Sequence, residues 1–96
     1  MSRAFVNEDA GGEPLGRFPL PRRDDPGYDA AAARALLRGA DQGDSASAEE
    51  ATGYAWGDPA LVAHVEQIRL EAEAAGDDRL ETLAMRYLRA AANRQA

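Results

Sequence analysis

The chain has 96 residues, no cysteine, and 17 acidic against 11 basic residues, a formal net charge of −6. Lacking cysteine, it can form no disulfide, thiolate metal site or cysteine nucleophile. At this length it is one domain at most, burying only about 60% of the surface its unfolded chain exposes. A net acidic chain is a poor ligand for phosphate backbones, whose affinity comes from basic residues that displace counterions. Direct nucleic-acid binding is therefore not expected, and a basic protein surface or a cation is the better electrostatic partner.

All 11 basic residues are arginine and alanine is abundant, a composition that points to a GC-rich bacterial genome. Arg3 is not followed by an apolar run of a signal peptide's length, because Asn7, Glu8 and Asp9 interrupt at once. No stretch approaches the roughly eighteen apolar residues of a membrane span. A cytoplasmic location is the expectation.

Residues 1–27 hold four of the nine glycines and four of the five prolines. Phe18-Pro19-Leu20-Pro21 must be extended, since a residue before proline is pushed out of the α region. This stretch reads as an irregular leader, extended or partly disordered, whose Phe5, Val6, Leu15, Phe18 and Leu20 can lie against the domain or against a partner. Residues 28–96 read as a small helical domain. Asp29 is the expected N-cap of the first helix and Gly39 its C-cap. Ser47 and Glu50 have capping-box spacing ahead of a short helix from about Ala48 to Tyr54.

In GDPAL, Gly57 ends one element, Asp58 caps the next, and Pro59 takes the first helical position, where its missing N–H is not needed. Leu61, Val65, Ile68, Ala72 and Ala75 recur at spacings of three and four, one face of a helix that Gly76 ends. Asp78 and Glu81 mark the next start, and Leu80, Leu83, Ala84, Tyr87, Leu88 and Ala91 line a final helix. Two or three linking residues force those last two helices into an antiparallel hairpin. The fold class is thus all-α: about four helices ending in a hairpin, behind a Pro/Gly-rich leader. Gly-Asp occurs at 43–44, 57–58 and 76–77, each at an expected boundary, and reads as helix punctuation.

Little in the sequence offers chemistry. His64 is the only histidine, with no serine or carboxylate three or four residues away to pair with. Asp41, Asp44, Glu49, Glu50 and Asp58 form an acidic stretch without a base. They lack the alternating ligand positions of an EF-hand loop, and several are already placed to cap helices. Trp56, the sole tryptophan, beside Tyr54, either plugs the gap between the short helix and the hairpin or anchors a partner; the core position is the preferred reading. No phosphate-cradling loop or nucleophile elbow is present. The chain is read as not an enzyme, with no cofactor and no metal ligand set.

The leader adds a different kind of information. MSRAFVNED, an acidic proline-containing stretch, and then Pro26-Gly27-Tyr28 together resemble the leader of some bacterial Gre-type transcription elongation factors and their relatives. Those chains begin Met-Ser-Arg-(Ala or Gly)-Phe-Val-Lys-Glu-Asp and reach Pro-x-Tyr just before a coiled coil. Here Asn7 stands where lysine is usual. Gly43-Asp44 and Ala48-Glu49 resemble the acidic hairpin tip of that family, but Ser47 occupies the place of its second carboxylate. Of the Mg²⁺-holding pair that the resemblance implies, only Asp44 matches, so transcript cleavage is not carried over. The helices expected here are also too short for the family's long coiled coil, and no second polymerase-docking domain is expected within these residues.

The resemblance thus implies a context near RNA polymerase. The combined expectation is a non-catalytic, acidic helical module that binds a protein. Its candidate contact residues are Phe5, Val6, Phe18, Asp41, Asp44, Glu49, Tyr54 and Trp56. The alternatives are a structural or regulatory domain of unidentified partner, or a divalent-cation binder using residues 41–58.

Overall fold

The computed structural model describes residues 18–95, so Phe5 and Val6 lie outside the described residues. These residues form four α-helices, α1 (Tyr28–Asp41), α2 (Ser45–Thr52), α3 (Val62–Ala75) and α4 (Asp78–Gln95), with a 3-10 turn at Pro59–Leu61 leading into α3. No strand occurs among the described residues. Helices α3 and α4 pack as the expected antiparallel hairpin, linked by Gly76 and Asp77, and α1 lies across both while α2 packs on α1.

The three Gly-Asp pairs act as one repeated device. Gly43, Gly57 and Gly76 have φ of 73°, 85° and 74°, a left-handed turn that a side chain would strain. The aspartate that follows each one turns its carboxylate onto a free amide of the next helical segment. Asp44 accepts from the Ser47 amide at 3.2 Å, Asp58 from Ala60 at 2.9 Å and Asp77 from Leu80 at 3.1 Å. Each helix start thereby satisfies an amide that has no partner within its own helix.

This device moves several expected boundaries. Ser47 is not the cap of α2; it lies inside the helix, and its hydroxyl donates to Asp44 at 2.9 Å. Asp77 rather than Asp78 caps α4. The first helix begins at Tyr28 behind Gly27, because the Asp29 carboxylate is occupied by the Tyr54 hydroxyl at 2.7 Å. Gly39 does not end α1. It is buried, and a Cβ there would stand 2.6 Å from the Ala48 Cβ and 3.1 Å from the Asp44 carbonyl oxygen. The missing side chain is what lets α2 fold back against α1.

The core joins all the elements: Phe18, Leu36, Leu37, Leu61, Val65 and Tyr87 are each at most 1% exposed. The expected face of α3 is buried at Val65, Ile68 and Ala72, while Ala75 is exposed where the helix runs past its neighbours. Leu83, Ala84, Tyr87 and Ala91 supply the α4 face. Of the two positions open to Phe18, against the domain or against a partner, it takes the first: it is 1% exposed, and burying such a ring stabilises by about 1.5–3 kcal/mol. The packed body therefore takes in part of the leader.

Residues 18–27 form turns without regular structure, held by the Asp25 amide on the Arg22 carbonyl and the Tyr28 amide on the Asp25 carbonyl, both 2.9 Å. They are tied down at the end of α2. Thr52 is fully buried, and its carbonyl has no acceptor role left within its own helix. It accepts from the Tyr28 hydroxyl at 2.8 Å and from Arg23 Nη2 at 3.1 Å. Arg23 also donates through Nε to the Tyr28 hydroxyl at 3.2 Å, with its guanidinium carbon 5.3 Å from that ring's centroid.

Gly39→Ala separates packing from propensity. Alanine adds about 1 kcal/mol of helix propensity, but overpacking against Ala48 costs about 1–3 kcal/mol. Urea unfolding is expected to show a net loss of stability; a gain would mean that α2 does not sit against Gly39.

Candidate interaction surface

The acidic stretch 41–58 is dispersed by the fold. Asp41 pairs with Arg79 Nε on α4 at 2.6 Å. Asp44 and Asp58 cap helical segments, and Glu49 accepts from the Trp56 backbone amide at 2.7 Å. Glu50 is exposed. Among the described residues, no group of three His, Asp or Glu side chains is arranged to hold a metal ion. His64 is half-buried beside Val65.

The aromatic pair is likewise drawn into the body. Trp56 is half-buried and meets Tyr87 edge to face, with ring centroids 5.0 Å apart and planes at 70°. Its carbonyl accepts from Arg94 at 3.2 Å. Tyr54 is half-buried, and its bond to Asp29, together with burial and the negative charge nearby, raises its pKa. The Tyr87 hydroxyl donates to the Asp58 carbonyl at 2.8 Å, which links α4 to the turn that begins α3. Burial, helped by the Asp58 charge, pushes the Tyr87 phenol up to about 12.

The shaped surface lies elsewhere, between α1 and the hairpin. A cleft of about 240 Å³ is lined by the buried Leu37, Ile68 and Leu83 and the half-buried Leu80, with Asp77 at the hairpin turn. Two ion pairs bracket it, each joining α1 to the hairpin: Arg34 with Glu71 at 2.7 Å, and Asp41 with Arg79 at 2.6 Å. The Arg34 hydrogen bond, then that of Gln67, lowers the Glu71 pKa. Both pairs are solvent-exposed, so they fix geometry more than stability. Between them on α1 stands Arg38, exposed, its guanidinium with no hydrogen-bond or ion-pair partner among the described residues. A smaller hollow of about 150 Å³, bounded by Phe18, Pro19, Ala31 and Ala35, shares Arg34 and Arg38 with the cleft. The two adjoin along α1 as one track.

Of the residues that the sequence singled out, only Asp41 borders this track directly, with Phe18 closing its smaller end. Arg34 and Arg38 carried a signal that the sequence reading passed over. They are like charges four residues apart on one helix, a mildly unfavourable arrangement unless each has something to meet.

Comparison with protein-family models, curated proteins and solved structures finds no match to this chain. Among the described residues, no helix is long and apolar enough to cross a membrane.

The Tyr87 environment gives a pH test. Its folded pKa lies above the unfolded value of about 10, so the fold favours the neutral phenol. That contribution is fully present below pH 10 and is lost as pH rises towards 12. In absorbance titrations at alkaline pH, Tyr87→Phe is expected to remove an ionisation step near pH 12. Removal of a step near pH 10 would place the hydroxyl in solvent.

Proposed function

We propose that the chain is a non-catalytic helical module that binds a protein segment in the cleft between α1 and the hairpin. One observation carries this reading. The charged side chains of 41–58 serve mainly as caps and ties, while the Arg38 guanidinium, without a partner among the described residues, stands in the cleft that the half-buried Leu80 also lines. A cation beside a half-buried leucine suits a peptide that brings an apolar side chain and a carboxylate together. At about 240 Å³ the cleft suits one or two side chains rather than a whole cofactor.

The partner's context is drawn from the leader. Its resemblance to Gre-type factors supports a cytoplasmic accessory protein that works near RNA polymerase in a bacterium, with Phe5 and Val6 as further contacts. A divalent-cation role for 41–58 has less support, because its acids are spread over separate structural tasks.

Affinity purification from the native host with the tagged full chain tests the reading. Polymerase subunits are expected to be recovered with the native chain and lost with Arg38→Glu. Recovery of a different protein that still depends on Arg38 would keep the module and remove the transcription context. Absence of any Arg38-dependent partner would overturn both.

A further inference from the structure

We propose that the chain forms a two-fold dimer through the face of the α3–α4 hairpin turned away from α1, with α3 of each copy lying on α4 of the other. That face is opposite the cleft, so the dimer and the peptide-binding reading stand or fall separately. Apolar exposure, charge and size carry the inference.

Leu70 and Met85 are the exposed large hydrophobic side chains among the described residues, at 49% and 47%. Both belong to the hairpin, whose edge towards α1 is marked by the ion pairs of Glu71 and Arg79. Helical periodicity sets Leu70 in line with the exposed Ala63 and Ala74 on the outer side of α3. On α4 it sets Met85 in line with the half-buried Leu88 and the exposed Ala92. The other side of α3 already faces the core through Val65, Ile68 and Ala72. A helix that is apolar on both sides is a buried helix, and the described residues of one chain cover only one side of α3.

Charge names the occupant. The outer side of α3 carries Glu66 and Glu73, with Arg69 held between them at 3.2 and 3.9 Å. On α4, Arg89 is exposed and without a partner among the described residues, and no acid occurs from Thr82 to Arg94. Counting back equally from the Gly76-Asp77 link sets Leu70 level with Leu83, Met85 with Ile68 and Glu66 with Tyr87. A two-fold axis parallel to the helices keeps these levels and lays α3 on α4 of the second copy. Leu70 then comes within a turn of Met85 of the second copy, and Glu66 within a turn of its Arg89. Glu81, the one acid on this side of α4, comes level with Ala72, within a turn of Arg69. An axis across the helices would instead lay α3 on α3 and set Glu66 near Glu73, acid against acid.

Size sets the strength. The 14 residues of α3 span about 21 Å at roughly 1.5 Å per residue, and two helices of about 10 Å diameter make a face on the order of 400 Å² in projection. Two such faces stand at the low end of specific interfaces, so the dimer forms with rising concentration rather than being permanent.

Sedimentation equilibrium of the full-length chain, from micromolar to millimolar concentration, tests the proposal. The mass is expected to rise from one chain to two. Leu70→Glu and Met85→Glu, both at exposed positions, are each expected to weaken association more than about tenfold with an unchanged circular dichroism spectrum. Glu66→Arg and Arg89→Glu are each expected to weaken it as well, and their combination in one chain to restore it. Arg38→Glu, in the cleft, is expected to leave it unchanged. The mass of one chain at every concentration would overturn the proposal and leave the face to residues 1–17 or to a different protein. A dimer that survives Leu70→Glu and Met85→Glu, or that Arg38→Glu dissolves, would place the interface elsewhere and overturn it too. A double charge reversal no stronger than its single variants would remove the α3-on-α4 arrangement and overturn it likewise.

Discussion

The carbonyl of Thr52 ends a helix inside the protein, and a buried carbonyl without a donor costs about 1–3 kcal/mol. Two residues from outside α2 meet it, the hydroxyl of Tyr28 and the guanidinium of Arg23. One acceptor thereby joins the end of α2, the start of α1 and the turns that precede α1. The Thr52 hydroxyl completes the knot, donating back to the Ala48 carbonyl at 2.8 Å and accepting from the Tyr54 amide at 3.1 Å. With Arg23 fixed there, the chain upstream runs along α1 and delivers Phe18 to the core. The smaller hollow exists because Phe18 and Pro19 are held in that place.

The helices and their hairpin were legible because their signals are local. Periodicity at Leu61, Val65, Ile68 and Ala72, and again at Leu83, Ala84, Tyr87 and Ala91, reports a buried face directly. The Gly-Asp pairs report boundaries for the same reason, since the turn and the cap lie within four residues. What the sequence concealed depends on contacts between distant residues. Nothing near Gly39 says that Ala48 will press on it, so the glycine reads as a helix end rather than a site of close approach. Asp29 looks like a cap until Tyr54, 25 residues later, takes its carboxylate. The acidic run 41–58 looks like a cluster in one dimension, and the fold pulls it apart. The cleft escaped notice for the same reason, since its rim comes from residues 34, 38, 41, 77 and 79, brought together only by packing α1 on the hairpin.

Stability and recognition divide the charged residues between them. Aspartates that follow glycines hold helix starts, where the helix dipole and the free amides favour a negative charge. Arginines supply the longer reach: Arg23 to a buried carbonyl, Arg94 to the Trp56 carbonyl, Arg34 and Arg79 across the cleft. Arg38 on the cleft face of α1 has no side-chain partner among the described residues, and the proposed recognition surface rests on that guanidinium.

The fold depends most on the Thr52 knot, and removal of one oxygen atom probes it. Tyr28→Phe keeps the ring in the core and deletes only the hydroxyl that Thr52 and Arg23 share. Arg23 still reaches the carbonyl, so urea unfolding of the full chain is expected to show a loss of about 1 kcal/mol. The backbone amides of residues 18–27 are also expected to exchange faster with solvent. An unfolding midpoint and exchange rates equal to those of the native chain would contradict the account, because the turns before α1 would then be held by something other than this carbonyl.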